Sequence, residues 1–331
     1  MNLPAKTPLL DSLLSRPIDW TGVPEYLIAD VHEYQPLTHA DGTKRCYEQM
    51  LNQWVDFCGS KEAAFPAKEA FVIAYMIKLL ENGLSPFTIH NKITVLGTVH
   101  SANEWPRVFT YRVRTYLKSI MKEHGKRRNV KRPLRHEHLV KIVAVLKRSG
   151  DPLRSARDRA AMWFARSGAL RRSEAASACV EDVEFTESGL VYRIDHSKSD
   201  QYWRGQYATL QRDPRIEFCP VRALDLWLRL SGITTGPIFR KIMMNGEISN
   251  RALSAETISD IVQHYAGQIG LDPRFYGSHS LRRGWATGAH ENGASLTEIQ
   301  RKLRHSSTKY TRGYIEGSSP ADRNMSRIAG A

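Results

Sequence analysis

Gly277–Glu316 reads GSHSLRRGWATGAHENGASLTEIQRKLRHSSTKYTRGYIE, and its reading decides the fold of the second half of the chain. His279 and Arg282 stand three residues apart, about one helical turn, so a helix from Ser280 presents an imidazole and a guanidinium on one face. That pair suits a phosphate. Ser295 to Glu298 has the S-x-x-E form of a capping box and predicts a second helix running to about Arg304, with His305 just past its end. Ser306 or Ser307 then caps a third short helix expected to carry Tyr310 and Tyr314. A phenol, two imidazoles and a guanidinium gathered by three short helices are the ingredients of covalent phosphoryl transfer.

Working outward, the 331 residues are 41% hydrophobic, enough for a sizeable core and an expected two domains. The formal charge of +14 and pI near 9.7 point to a polyanion as partner, nucleic acid first. No apolar run approaches the roughly 18 residues of a membrane span, and the N-terminus lacks the pattern of a secretory signal. The expected location is therefore cytoplasmic, on the nucleoid, with no membrane partner. Cys46, Cys58, Cys179 and Cys219 are scattered, without C-x-x-C or a histidine at zinc-ligand spacing, and read as reduced structural residues with no metal. No phosphate-binding glycine loop is present, so phosphate chemistry must lean on side chains.

Residues 1–36 are Pro-rich and poorly periodic and read as a flexible tail. Residues 37–124 read as a helical bundle. Tyr47, Met50, Leu51, Trp54, Val55 and Cys58 share one helical face. Further helices carry Phe71 to Leu80, Ile89 to Val99, and Phe109 to about His124. The last buries Val113, Leu117 and Ile120 and turns Arg112, Arg114, Lys118 and Lys122 outward, toward DNA in this reading. Lys126, Arg127, Arg128, Lys131 and Arg132 crowd residues 125–134, a basic linker able to follow a phosphate backbone. Residues 135–331 form the second domain, mostly helical with one small sheet. Leu190–Ile194 and Tyr202–Leu210 pair in that sheet around a turn that holds Lys198, and Phe239 sits on a short extended piece.

Residues 169–174, ALRRSE, match the G-L-R-x-S-E box of the tyrosine recombinases, the phage-integrase-type family, with only the glycine changed. H-x-x-R at His279 and Arg282, then His305, then Tyr314 nine residues on, fit that family's second box. The chain thus resembles a two-domain, Cre- or Xer-like member. The resemblance implies catalytic roles for Arg171, Lys198, His279, Arg282, His305 and Tyr314, with Glu174 the buried acid that supports them. It selects Tyr314 over Tyr310 by the distance from His305. It further implies a fold of N-terminal core-binding bundle plus catalytic domain, clamped on double-stranded DNA at a specific, inverted-repeat site. Cleavage would run through a 3′-phosphotyrosine, and four protomers would exchange strands through a four-way junction, without a cofactor. Arg304 and Ala169 depart from the family pattern, each standing where a glycine is usual. Tyr116, Tyr276 and Trp285 are expected to pack, and Arg172 and Arg283 to make phosphate or structural contacts. Pro320–Ala331 is expected to dock on a neighbouring protomer. The alternatives are a type IB topoisomerase or telomere resolvase with the same chemistry, and a non-cutting DNA-binding regulator on the same fold.

Overall fold

The computed structural model describes residues 8–14, 21, 41–125, 130–194 and 205–315. Lys198, Lys126, Arg127, Arg128 and Pro320–Ala331 lie outside the described residues. The chain divides into two compact units, Met1–Arg128 and Asn129–Ala331. Among the described residues no helix is long and apolar enough to cross a membrane.

The first unit holds α1 (Leu9–Leu14), α2 (Asp41–Cys58), α3 (Lys61–Ala64), α4 (Glu69–Glu81), α5 (Pro86–Ala102) and α6 (Tyr111–His124). Three of these helices, α3, α5 and α6, start where a hydroxyl satisfies a free backbone donor. Ser60, Ser85 and Thr110 accept from the N–H groups of Ala63, Thr88 and Val113. Leu51, Trp54, Val72, Met76, Ile89, Ile93, Val99 and Val113 are fully buried in one core. Trp54 donates its indole N–H to the Ala64 carbonyl at 3.1 Å and meets Tyr75 edge-on. Truncating Trp54 to alanine costs about 3–5 kcal/mol at such a site. Arg112, Lys118 and Lys122 are exposed on α6. Tyr116, expected to pack, is instead 47% exposed on the same helix. It lies one turn before Ile120, at the open rim of a groove shared with Ile77 and Leu80 of α4.

One stretch of the expected tail is ordered. In α1, Leu10 and Leu13 are buried in the bundle core. The Glu48 carboxylate accepts from the N–H groups of Leu9 and Leu10 at 2.7 and 2.6 Å, and Asn103 donates to the Leu13 carbonyl. A carboxylate from another helix does here what a local N-cap usually does, so nothing local announces the helix.

The second unit contains α7 (His136–Lys147), α8 (Pro152–Ser167), α9 (Arg172–Ala176), α10 (Pro220–Ser231), α11 (Ala255–Gln268), α12 (Ser278–Glu291), α13 (Leu296–Leu303) and α14 (Thr308–Arg312). Helix α8 is its centre. Ala156, Ala160, Ala161, Met162, Trp163, Phe164 and Ala165 are all buried, so beyond its exposed first turn α8 is buried on most of its faces. Strands β1 (Val183–Phe185), β2 (Gly189–Ile194) and β3 (Gln206–Gln211) form an antiparallel sheet in sequence order, with Leu190 opposite Leu210 and Ile194 opposite Gln206. Phe164 of α8 packs on Tyr192 and Phe239, joining helix to sheet.

A second antiparallel pair, β4 (Arg240–Ile242) and β5 (Ile248–Ala252), was not expected from the sequence. Its strands are short and polar, and only the Asn245-Gly246 dipeptide, with Gly246 at φ +84°, marks the hairpin. The expected linker also ends early. Lys131 donates to the Arg274 carbonyl, the N–H groups of Arg132 and Leu134 bond to Phe275 and Ser280, and Leu134 is fully buried. Arg132 lies over the Phe275 ring at 4.5 Å. From Lys131 the chain is a strap on the second unit, because its backbone finds partners in the loop before α12.

Candidate active site

Helix α12 opens at Ser278, two residues before the expected start. The Ser280 hydroxyl accepts from the Gly277 N–H at 3.2 Å, and the Ser278 N–H bonds to Ser259. His279 and Arg282 therefore share its first turn. The helix can approach the strap because residue 284 is glycine: a Cβ there would stand 2.0 Å from the Leu134 carbonyl oxygen. Arg282 is buried and donates to the carbonyls of Ala169 and Leu303, while its Nε finds no partner. Burial first, then the Arg171 and Arg304 charges, push its pKa down to about 10, so it stays charged at neutral pH.

Arg171 caps α9. Its N–H donates to Glu174 Oε2 at 2.8 Å and its guanidinium to Oε1. Glu174 is 1% exposed, and Arg304 donates to its Oε2 at 2.7 Å. Burial works against the charge on Glu174, but Arg304, the Arg171 N–H and the Arg171 guanidinium more than offset it and hold its pKa below the usual value.

The Ser295 capping box forms as the spacing predicts: Ser295 Oγ accepts from the Glu298 N–H and Glu298 Oε2 from the Ser295 N–H. Helix α13 ends at Leu303, with Arg304 left-handed at φ 53°. Ala169 is left-handed too, at φ 47°. Both residues that replace a family glycine therefore keep a glycine-like backbone, at a cost of roughly 1–2 kcal/mol each. His305 follows, with Nδ1 3.1 Å from the hydroxyl of the fully buried Thr311. Burial, then Arg282, Arg171 and Arg304, lower its pKa to about 4, leaving a neutral imidazole at pH 7. An open groove of about 340 Å³ is lined by His305, Arg304, Ser306 and, from the start of β3, Gln206 and Tyr207.

Ser307 caps α14, which ends at Arg312, so Tyr314 does not ride on a helix as expected. It sits in the turn beyond, its N–H bonded to the Thr311 carbonyl at 2.9 Å. Gly313 ends the helix, and Arg283 donates to its carbonyl. The Tyr314 hydroxyl is 3.4 Å from His279 Nδ1, its ring is 4.8 Å from that of His305, and the Arg282 and Arg283 guanidiniums lie 5.7 and 5.8 Å from its centroid. Burial, then Arg282, Arg172, Arg171 and Arg283, lower the pKa of His279. Tyr310 does not share this position: it is 62% exposed, with its ring 6.5 Å from His305.

The structure thus gathers Arg171, Glu174, His279, Arg282, His305 and Tyr314. Lys198 belongs to the β2–β3 connection outside the described residues. Lys131 and Arg132 are engaged by the loop before α12, and Arg172 pairs with Glu256 at 3.4 Å. Tyr276 is buried, and Trp285 packs under Lys302. Two contributors were missed. Thr311 gave no signal beyond being a threonine in a short helix, and Arg304 was visible as a departure from the family pattern but not as a ligand of Glu174.

A model of the phage integrase family matches residues 132–319. The integrase/recombinase XerD homolog of Selenomonas ruminantium is 31% identical over 282 residues, covering 84% of this chain and 82% of the relative. The tyrosine recombinase XerD of Xanthomonas axonopodis pv. citri is 28% identical over 166 residues, 48% of this chain and 50% of the relative. In fold the chain is similar to XerH site-specific recombinase bound to palindromic difH substrate, with TM-score 0.63 and 18% identity over 87% of this chain and 78% of that one. It is also similar to lambda integrase bound to a core site, with TM-score 0.59 and 16% identity over 89% and 96% of the two chains. The chain belongs to the phage integrase family and is a tyrosine-type site-specific DNA recombinase.

Proposed function

We propose that this recombinase cuts and rejoins double-stranded DNA through a covalent 3′-phosphotyrosine at Tyr314. The observation that carries the reading is the Tyr314 hydroxyl 3.4 Å from His279 Nδ1, with the Arg282 guanidinium 5.7 Å from the centre of the Tyr314 ring. His279 has a lowered pKa, so its imidazole is free to take the phenol proton. The phenolate oxygen bonds to phosphorus as the bond to the 5′ oxygen breaks. Lys198, assigned by its place after the first box, returns a proton to that oxygen. Charge growing on the non-bridging oxygens meets the guanidiniums of Arg171 and Arg282, with Glu174 setting the angle of Arg171. When the Thr311 hydroxyl donates to His305 Nδ1, the imidazole carries its proton on Nε2 and offers it to the same oxygens. Each such oriented donor contributes about 3–4 kcal/mol to the transition state. The phosphotyrosine conserves the bond energy, so attack by a 5′ hydroxyl reverses the step.

Four protomers on two inverted-repeat sites would exchange strands through a four-way junction. The exposed Arg112, Lys118 and Lys122 of α6 contact the DNA backbone in this reading, with Lys126, Arg127 and Arg128 of the connection.

The test incubates wild type, Tyr314→Phe and Tyr310→Phe with nicked DNA from the host element and separates protein–DNA adducts under denaturing conditions. Adducts from wild type and Tyr310→Phe but not Tyr314→Phe are expected. An adduct that persists in Tyr314→Phe overturns the assignment, and relaxation of supercoils without exchange between two sites moves the enzyme to the topoisomerase class.

A further inference from the structure

The residue before His305 serves as a brace rather than a bare turn. Arg304 adopts the left-handed backbone that glycine takes without strain, yet its side chain is 8% exposed and makes four hydrogen bonds. It donates to Glu174 Oε2 at 2.7 Å, to the carbonyls of Gly168 and Ala169 at 3.2 and 3.3 Å, and to that of Lys302 at 3.2 Å. The Ala169 carbonyl also takes the guanidinium of Arg282, and the other oxygen of Glu174 takes that of Arg171. One side chain thus ties the loop before the first box, the acid that holds Arg171, and the end of α13 to the backbone of His305.

We propose that Arg304 is a positioning residue of this recombinase, locking Glu174 and the Ala169 carbonyl so that Arg171, Arg282 and His305 converge on one phosphate. This rests on the reading of those three side chains as phosphate ligands. A planar fork that reaches three carbonyls and a carboxylate at once cannot be copied by lysine, which has one nitrogen. Arg304 also faces His305 as one of three nearby cations, with Arg171 and Arg282. The Tyr314 and Tyr310 rings and the Thr311 hydroxyl also neighbour His305, and Gln206, Tyr207 and Ser306 line the same groove.

Full-length Arg304→Gly, Arg304→Lys and wild type decide the proposal. Folding and DNA affinity are checked by melting and gel shift, adduct formation is timed in single turnover on nicked DNA, and the His305 imidazole is titrated by NMR without DNA. Arg304→Gly relieves the backbone but loses fork and charge. It should cleave about 10- to 100-fold more slowly at unchanged affinity, and its His305 midpoint should rise. Arg304→Lys keeps the charge, so its titration should stay near wild type while cleavage remains slow, which a filler of space would not predict. Arg304→Gly with wild-type cleavage and an unmoved midpoint overturns the proposal. If Arg304→Gly does not fold, Arg304→Lys decides: cleavage at the wild-type rate overturns it. If wild type forms no adduct, the cleavage reading fails, and an unmoved His305 midpoint in the variant overturns the brace separately.

Discussion

Glu174→Gln isolates the electrostatics of the site without any DNA. The wild-type carboxylate is 1% exposed and is met by the Arg171 N–H, the Arg171 guanidinium and the Arg304 guanidinium. A carboxamide has the same shape but one acceptor oxygen, and its NH2 must face a donor. The change therefore leaves a buried guanidinium N–H unpaired and removes the carboxylate that both arginines bond. Breaking a buried pair from one side costs about 3–5 kcal/mol. For a unit of this size that lowers Tm by about 6–20 °C. The pH dependence adds a second constraint. The folded pKa of Glu174 lies below its ordinary 4.5, so its contribution is complete above that value and is lost as pH falls through the folded pKa. Calorimetry of both proteins from pH 7 down to pH 3 should show a gap in Tm that is constant at the upper end and narrows at the lower. A gap under about 2 °C at pH 7, equivalent to less than about 1 kcal/mol, or one independent of pH, would refute the account of Glu174 as an ionised keystone.

Two further expectations concern packing and protonation elsewhere. Gly284→Ala puts a methyl 2.0 Å from the Leu134 carbonyl oxygen and 2.6 Å from the Arg166 guanidinium, and should cost about 3 kcal/mol. Gly288→Ala, one turn on in the same helix with nothing within 4 Å, should instead stabilise by about 0.5–1 kcal/mol, so a melt of the pair separates crowding from helix propensity. In the first unit, His100 accepts the Ala67 N–H at Nε2 and donates from Nδ1 to the Pro106 carbonyl, which requires the neutral ring. Burial holds its pKa below 6.5, so unfolded chain binds the proton first and stability falls as pH drops below that value. Hydrogen exchange at the Ala67 amide, corrected for its intrinsic rate, should accelerate over that range in wild type but not in His100→Gln.

What the sequence revealed depended on how local each interaction is. Trp54 and Leu51 fall on one helical face, and Ser295 with Glu298 caps its own helix, so both helices were legible from spacing alone. His279 and Arg282 are neighbours by helical geometry, and family resemblance linked them to Arg171, His305 and Tyr314, which no local pattern does. Interactions between distant residues left no trace. Helix α1 is started by Glu48, the β4–β5 hairpin has polar strands, and Tyr314 is held in its turn by Arg283 rather than by a helix. Arg304 is the instructive case. In sequence it is a lost glycine; in the fold its meaning comes from Glu174, 130 residues away.

The strap from Lys131 to Leu134 bears on how force travels in this molecule. Its backbone is fastened to the residues immediately before α12 and to Ser280 inside its first turn, and Arg166 grips the Leu134 carbonyl at 2.7 Å. Tension applied to the chain upstream of Lys131 is therefore delivered to the turn that bears His279 and Arg282 before it reaches the core of the unit. The attachment makes the chain upstream of Lys131 a mechanical lead on the helix that presents these two side chains.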